Sequence, residues 1–348
     1  MKILVVGLGG IGQRHLRNLR TLLGPEAELS AFRVRGFNHT LTDQLDIEPG
    51  TEVAAKYGIR VFETLEDAVA VRPDAAFVCN PTSLHVPVAM GLAQAGCHLF
   101  IEKPLSHSLE GVEELLAVVK AKGLVSMVGF QLRFHPLLGK LREWVEGHRM
   151  GRIIAVRAEV GEYLPGWHQY EDYRQMYASR SDLGGGVILS QIHEIDYLGW
   201  LFGWPSRVFA VGGHLSSLEV DVEDTASVLM ETCVDGRTIP IHLHLDYLQR
   251  PPNRTCQVIG DAGKAVMDLR ASTATLYGVD GDVAESVSFP DFPRNQLFLD
   301  EESYFLQCIS KQERSFIPAG EGLCSLRVAL AAKASILSGQ PVDLEWPS

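Results

Sequence analysis

The residues of this sequence best suited to move a proton are His193, Lys103 and Asp196. Histidine titrates near neutral pH without tuning, which suits it to take a hydroxyl proton as a bond to hydrogen breaks. His193 stands in "GGGVILSQIHEIDYLGWLFG", residues 184 to 203, an apolar run that opens on three glycines. Advancing 100° per residue along one continuous helix puts Leu189, His193, Asp196, Tyr197 and Trp200 on one face beside Ser190. Ile188, Ile192, Ile195, Leu198 and Phe202 take the opposite, core-facing side. Asp196 follows His193 by three residues, close enough to orient the ring or raise its pKa. Lys103 follows the apolar run "HLFI" and precedes a proline. Its ammonium is therefore expected at a strand's C-terminal end, where doubly wound sheets bind ligands, and there it can polarise the same hydroxyl oxygen.

A second constellation binds rather than reacts. Gly7, Gly9 and Gly12 form GxGxxG directly after the β-rich run "KILVV" and at the mouth of a helical pattern. In that setting the first glycine permits a tight turn, the second lets backbone approach a pyrophosphate, and the third lets helix and strand pack closely. Gly7, Gly9, Gly10, Ile11 and Gly12 are thus the expected dinucleotide cradle. The end of the second strand selects the nicotinamide, because an acid there bonds the ribose 2′-OH and an arginine accommodates a 2′-phosphate. "AELSAFRVRGFNH" carries Arg33 and Arg35 at that end and Glu28 at the wrong one, which favours NADP, with NAD as the alternative.

The elements that must hold these groups follow from the wider pattern. At 348 residues the chain exceeds what one core usually supports, so two domains are expected. Residues 1–128 alternate β-rich runs with helical ones, which predicts an α/β, doubly wound parallel sheet of Rossmann type. Residues 129–348 turn to strands joined by short turns such as "VDGR" and "GDAGK", and close on two helices near 298–311 and 320–338, an α+β domain. Hydrophobic content of 46% with 21% charged residues is that of a soluble protein, with no apolar run long enough to span a membrane. A net charge of -12 disfavours nucleic acid and anionic membranes and leaves small molecules as the expected partner. The first residues read as a strand rather than a secretion signal, and six cysteines without a CxxC pair read as reduced thiols, so the cytoplasm is expected.

With GLGGIG at its start, "CNPTSLHVPVAMGLAQAGCHLFIEKPL" from Cys79 to Leu105, and GGGVILSQIHEID further on, the chain resembles the Gfo/Idh/MocA family of glucose-fructose oxidoreductase and inositol dehydrogenase. The resemblance runs over nearly the whole chain, and Glu-Lys-Pro after a strand is its most specific element. It implies hydride transfer between NAD(P) and a hydroxyl or keto carbon of a sugar, sugar acid or nucleotide sugar. It also implies a large open, mostly antiparallel sheet in the second domain, through which a homodimer or homotetramer would assemble. By the same resemblance Glu102, Lys103 and Pro104 match the family's Glu-Lys-Pro, whose lysine lies near the nicotinamide. Asn80, Pro81 and His85 match the loop that lines the cofactor, and His193 matches the acid/base histidine. Relatives often carry an aspartate one turn before that histidine, where this chain has Leu189, Ser190 and Gln191. "GLGGIGQRHLRNL", "MVGFQLRFHP" and "GWHQYEDYRQMYASRSDLGGG" further resemble members found with bacterial surface-sugar and nonulosonic-acid pathways.

The loop "YLPGWHQYEDYRQMYASR" supplies the expected substrate contacts. Tyr163, Trp167 and His168 offer faces and polar edges to a sugar ring, and Arg174 or Arg180 a fork for an anion, as does Arg133 where the domains join. His242, His244 and Asp246 share one strand face at a spacing that can hold a metal, but no further ligand cluster accompanies them and no metal is expected. Two rival readings remain: a cofactor-binding sensor with little catalysis, and a reductase of a non-sugar C=N or C=C bond.

Overall fold

The computed structural model describes residues 1–34, 39–42, 46–168 and 170–346, so Arg35 lies outside the described residues. The first part alternates as its patterning predicts. It runs β1 (Lys2–Val6), α1 (Gly10–Leu23), β2 (Glu28–Phe32), the antiparallel pair β3 (His39–Leu41) and β4 (Ile47–Glu52), α2 (Val53–Tyr57) and β5 (Arg60–Phe62). It continues with α3 (Leu65–Ala70), β6 (Ala75–Val78), α4 (His85–Gln94), β7 (His98–Glu102), α5 (Val112–Ala121) and β8 (Ser126–Gly129). β1, β6 and β7 are buried on both faces, which is why each reads as an unbroken apolar run. Six strands form a parallel sheet in the order β5-β2-β1-β6-β7-β8. By sequence of its members this is 3-2-1-4-5-6, the dinucleotide-binding order, and it reverses between β1 and β6. The turn after β1 and the loop after β6 therefore flank one crevice.

Beyond it come α6 (Pro136–Glu146), β9 (Ile153–Gly161), a long loop, α7 (Val187–Ser190) and α8 (His193–Phe202). Then follow β10 (Arg207–Gly213), β11 (Thr225–Val234), β12 (Arg237–Asp246), β13 (Asn253–Gly260), β14 (Gly263–Asp268), β15 (Thr273–Tyr277) and β16 (Val283–Ser288). The chain closes with α9 (Arg294–Lys311), α10 (Ala319–Ser338) and β17 (Val342–Asp343). These strands make a nine-stranded sheet, β16-β15-β14-β13-β9-β12-β11-β10-β17, antiparallel except where β9 meets β12. Helices α6, α7, α8 and α10 pack on one face. The other face is open: Phe209, Leu229, His242 and Arg157 form an exposed row across four strands, with Val211 beside it.

The last two helices return to the first sheet. α9 lies on α1, and its Phe305 meets Phe77 and Phe100 edge-on, each at 5.6 Å, while those two rings stack at 4.7 Å. α10 approaches β8 so closely that a Cβ on Gly322 would press on Val128.

Residues 184–203 do not form a continuous helix: α7 ends at Ser190, Gln191 departs from helical geometry at φ -101 and ψ 28, and α8 begins at His193. The break shifts the phase, and every residue from 183 to 199 is buried, so the division into a site face and a core face fails. The cause is tertiary, since both short helices lie between the open sheet and α10.

Candidate functional site

The glycine turn has the shape that its sequence predicts. Gly7 adopts φ +91, and a Cβ there would abut the Cys79–Asn80 backbone; a Cβ on Gly12 would collide with the Gly7 carbonyl. Around Gly9 the space is open, and Gly9 itself, the N-cap residue, offers no side chain to the start of α1. The first-turn N–H groups and the positive end of a 14-residue helix suit an oxyanion. From the second part of the chain, the Tyr170 phenol reaches the Gly10 backbone, and burial pushes its pKa up. His168 stacks on Tyr170 at 5.1 Å and pairs through Nδ1 with Glu171 at 2.9 Å, so this loop arches over the cradle.

Asn80 and Pro81 are half-buried on the crevice's other side, and Asn80 Oδ1 is a buried acceptor without a partner among the described residues. The open cradle and this orphaned acceptor fit a dinucleotide. His85 is a strut between two loops: its ring nitrogens lie 2.8 and 2.9 Å from the Asn80 and Pro104 carbonyls, and burial lowers its pKa. Arg33 is half-buried just past β2, while Glu28 is exposed at the strand's start, 3.9 Å from Lys2 Nζ.

Lys103 and His193 are brought together. Lys103 Nζ donates to the Ser190 carbonyl at 2.8 Å, docking the Glu-Lys-Pro turn on the end of α7. His193 is buried, its ring set edge-on to Phe130 at 5.8 Å, and its Nδ1 has no partner among the described residues. Burial first, then the charges of Lys103, Arg254 and Arg294, push the imidazole well below its ordinary pKa. Asp196 does not join them. Both of its oxygens accept from Arg133, from Nε at 2.8 Å and Nη2 at 2.7 Å, in a buried bidentate pair. The same pair fills the Arg133 fork, and Asp196 raises the arginine's pKa against the effect of burial. Next to His193, Glu194 is held in the same way by Arg254, at 2.7 and 2.9 Å.

Glu102 faces inward. Its Oε1 and the Oε1 of Glu302 each accept from a ring nitrogen of His15 at 2.8 Å, and its Oε2 accepts the Lys103 N–H at 3.1 Å. Burial alone would lower the His15 pKa, but the Glu302 charge and the two carboxylate hydrogen bonds outweigh it and hold the ring at about 9. Asn18 donates to the same Glu302 oxygen at 2.9 Å.

The aromatic loop is tied down in several places. Arg250 lies over the Tyr163 ring at 4.0 Å, and Trp167 meets Tyr247 edge-on at 5.4 Å, its Nε1 buried and without a partner among the described residues. Arg174 is exposed and spent on Asp172 and Glu219, and Arg180 is spent on Asp182. On the open sheet face His244 links Ser227, 2.8 Å from its Nδ1, to Asp246, 3.2 Å from its Nε2. Sequence reading missed His15, Glu302, Arg254 and Arg294. No local signal marks them: the partners of His15, Glu302 and Arg254 lie 60 to 287 residues away, and Arg294 meets the site only through the fold.

Comparison with known proteins places this geometry among relatives. The family model for the GFO/IDH/MocA oxidoreductase family, NAD-binding Rossmann fold, matches residues 1–130, and that for the GFO/IDH/MocA C-terminal domain matches residues 138–266. Myo-inositol 2-dehydrogenase of Thermotoga maritima is 28% identical over 99% of both chains. Levoglucosan dehydrogenase, solved with NADH and levoglucosan, superposes with a TM-score of 0.80 at 18% identity, covering 99% of both chains. The WlbA dehydrogenase of Bordetella pertussis, solved with NADH and UDP-GlcNAcA, gives 0.79 at 22% identity over 100% of this chain and 99% of that one.

Proposed function

The chain belongs to the GFO/IDH/MocA family of NAD(P)-dependent dehydrogenases and reductases, and from that premise we propose that it transfers a hydride between NADP and a hydroxyl or keto carbon of a sugar, sugar acid or nucleotide sugar. The observation that carries this reading is the meeting of Lys103 with the segment that ends at His193, held by the Nζ bond to the Ser190 carbonyl. Bound nicotinamide supplies the hydride acceptor or donor. The rest is the work of this chain. His193, kept neutral by burial and by its cationic neighbours, takes the hydroxyl proton in oxidation and returns it in reduction. Lys103, anchored by one of its three N–H groups, keeps two to polarise the reacting oxygen.

Asp196 acts one step back, fixing Arg133 and with it the short turn (Gln131–Phe134) that follows β8. Gly7, Gly9, Gly10, Ile11 and Gly12 hold the pyrophosphate and Tyr170 closes over it, while Asn80 and Pro81 line the other wall. NADP is preferred to NAD because Arg33 follows β2 and no acid stands at that end. Tyr163, Trp167 and His168 line the substrate side of a domain that runs from 129 to 348, facing the cofactor domain of 1–128. The exposed row with Phe209 and Leu229 serves as the contact between copies, and the free cysteines suit a reducing cytoplasm.

Cofactor reduction by a panel of cyclitols, sugars and sugar acids tests the reading. Turnover with at least one of them, lost in His193→Ala, is the expected result. Tight NADP binding without turnover of any would favour the sensor.

A further inference from the structure

The charge around His193 runs against that of the chain, whose net charge is -12. Three cations come close enough to depress the imidazole: Lys103 after β7, Arg254 on β13 and Arg294 in the first turn of α9. Arg270, just beyond β14, adds its charge to the same cluster. Glu194 is spent on Arg254, and Glu162 accepts from Arg270 at 3.1 Å.

Arg294 alone of these arginines has no hydrogen bond or ion pair among the described residues. It is exposed at the start of a helix that packs on the turn after β8, and desolvation by neighbouring protein, with Arg254 and Arg270, lowers its pKa against the pull of Glu162. The helix that carries it is pinned at its start, since Asn295 accepts from Arg14 at 2.8 Å and donates to Asn18 at 2.9 Å. A guanidinium left unpaired beside two like charges matches the planar two-oxygen edge of a carboxylate or phosphate.

We propose that Arg294, flanked by Arg254 and Arg270, is the residue that recognises an oxyanion group on the substrate, and that the physiological substrate is a negatively charged sugar. The proposal rests on the hydride-transfer reading for what lies beside it, and assigns the anion contact to none of the arginines that the aromatic loop or the domain junction offers. An anion seated there also offsets the cations that bear on His193, so a charged substrate restores basicity to the group that must take its proton.

The test uses the NADP-loaded protein and calorimetric titration with glucuronate, glucose 6-phosphate and glucose. Wild type is expected to bind one charged probe at least ten-fold more tightly than glucose, and which probe wins tells carboxylate from phosphate. Arg294→Ala should lose about ten- to a hundred-fold of that affinity without changing glucose binding, and Arg294→Lys should restore part of it. The absence of a charged-over-neutral preference in wild type overturns the proposal, as does unchanged charged-probe binding in Arg294→Ala. Weakened NADP binding in its place would also overturn it, since the anion read would then be the cofactor's own phosphate. A protein that binds a charged probe through Arg294 but never reduces NADP would instead refute the hydride-transfer reading and leave the subsite standing.

Discussion

Two buried histidines sit on either side of the Glu-Lys-Pro turn, and they have been given opposite surroundings. His15 touches carboxylates on both ring nitrogens, and its pKa stands at about 9. His193 is ringed by Lys103, Arg254 and Arg294, has an orphaned Nδ1, and is pushed well below its ordinary value. Burial is the same and acts in the same direction on both, so the difference comes from the sign of the neighbouring charge. A saturated, charged imidazole is a structural tie. A neutral one with an open valence can take a proton.

The contrast breaks most visibly at His15. Replacing it by Ala leaves Glu102 and Glu302 as buried carboxylates without their cation, and should cost about 3–5 kcal/mol in a denaturant titration. An unaltered midpoint would show that the ring ties nothing together. The same group sets a pH dependence. Its folded pKa of about 9 exceeds the ordinary 6.5, so its contribution is complete below about pH 6.5 and is lost as pH rises through 9. Wild type should lose about 3 kcal/mol more than His15→Ala between pH 6 and 10.

At the other histidine the effect is on rate. His193→Ala should slow the chemical step by about a hundred-fold, while costing less stability than the change at His15. The smallest effect sharpens the comparison further. Because burial, and after it the charges of Lys103, Arg254 and Arg294, disfavour the imidazolium, the acid limb of kcat/KM should fall below pH 6.5. Lys103→Met, by removing the strongest of those charges, should move that limb upward by about half a pH unit to one unit. A limb that does not move would dissociate the lysine from the base.

How much of this was legible in the sequence depended on how far apart the cooperating residues lie. GxGxxG and Glu-Lys-Pro are contiguous, and their shape follows from local backbone geometry, so the turn at Gly7 and the position of Lys103 after β7 could be read directly. Strand and helix alternation likewise carried the first sheet, whose buried strands have no polar face to blur them. The helix at 184–203 failed because periodicity assumes a continuous axis, and the turn at Gln191 is imposed by packing rather than by any glycine or proline there. Asp196 seemed placed for His193 by its spacing of three. Its actual partner, Arg133, is 63 residues away, and nothing within the helix announces it. His15 and Glu302, 287 residues apart, are further still beyond a local reading.

The return of α9 and α10 to the first sheet bears on the order in which the molecule can be made. Phe305 packs edge-on against both rings of the Phe77–Phe100 stack, Glu302 completes the His15 pair, and Gly322 lies against Val128. A ribosome that has delivered the cofactor-binding half has therefore not completed its core. That half waits, with aromatic surface and a buried-to-be histidine exposed, until more than three hundred residues have emerged, which makes it the part of the nascent chain most in need of a chaperone.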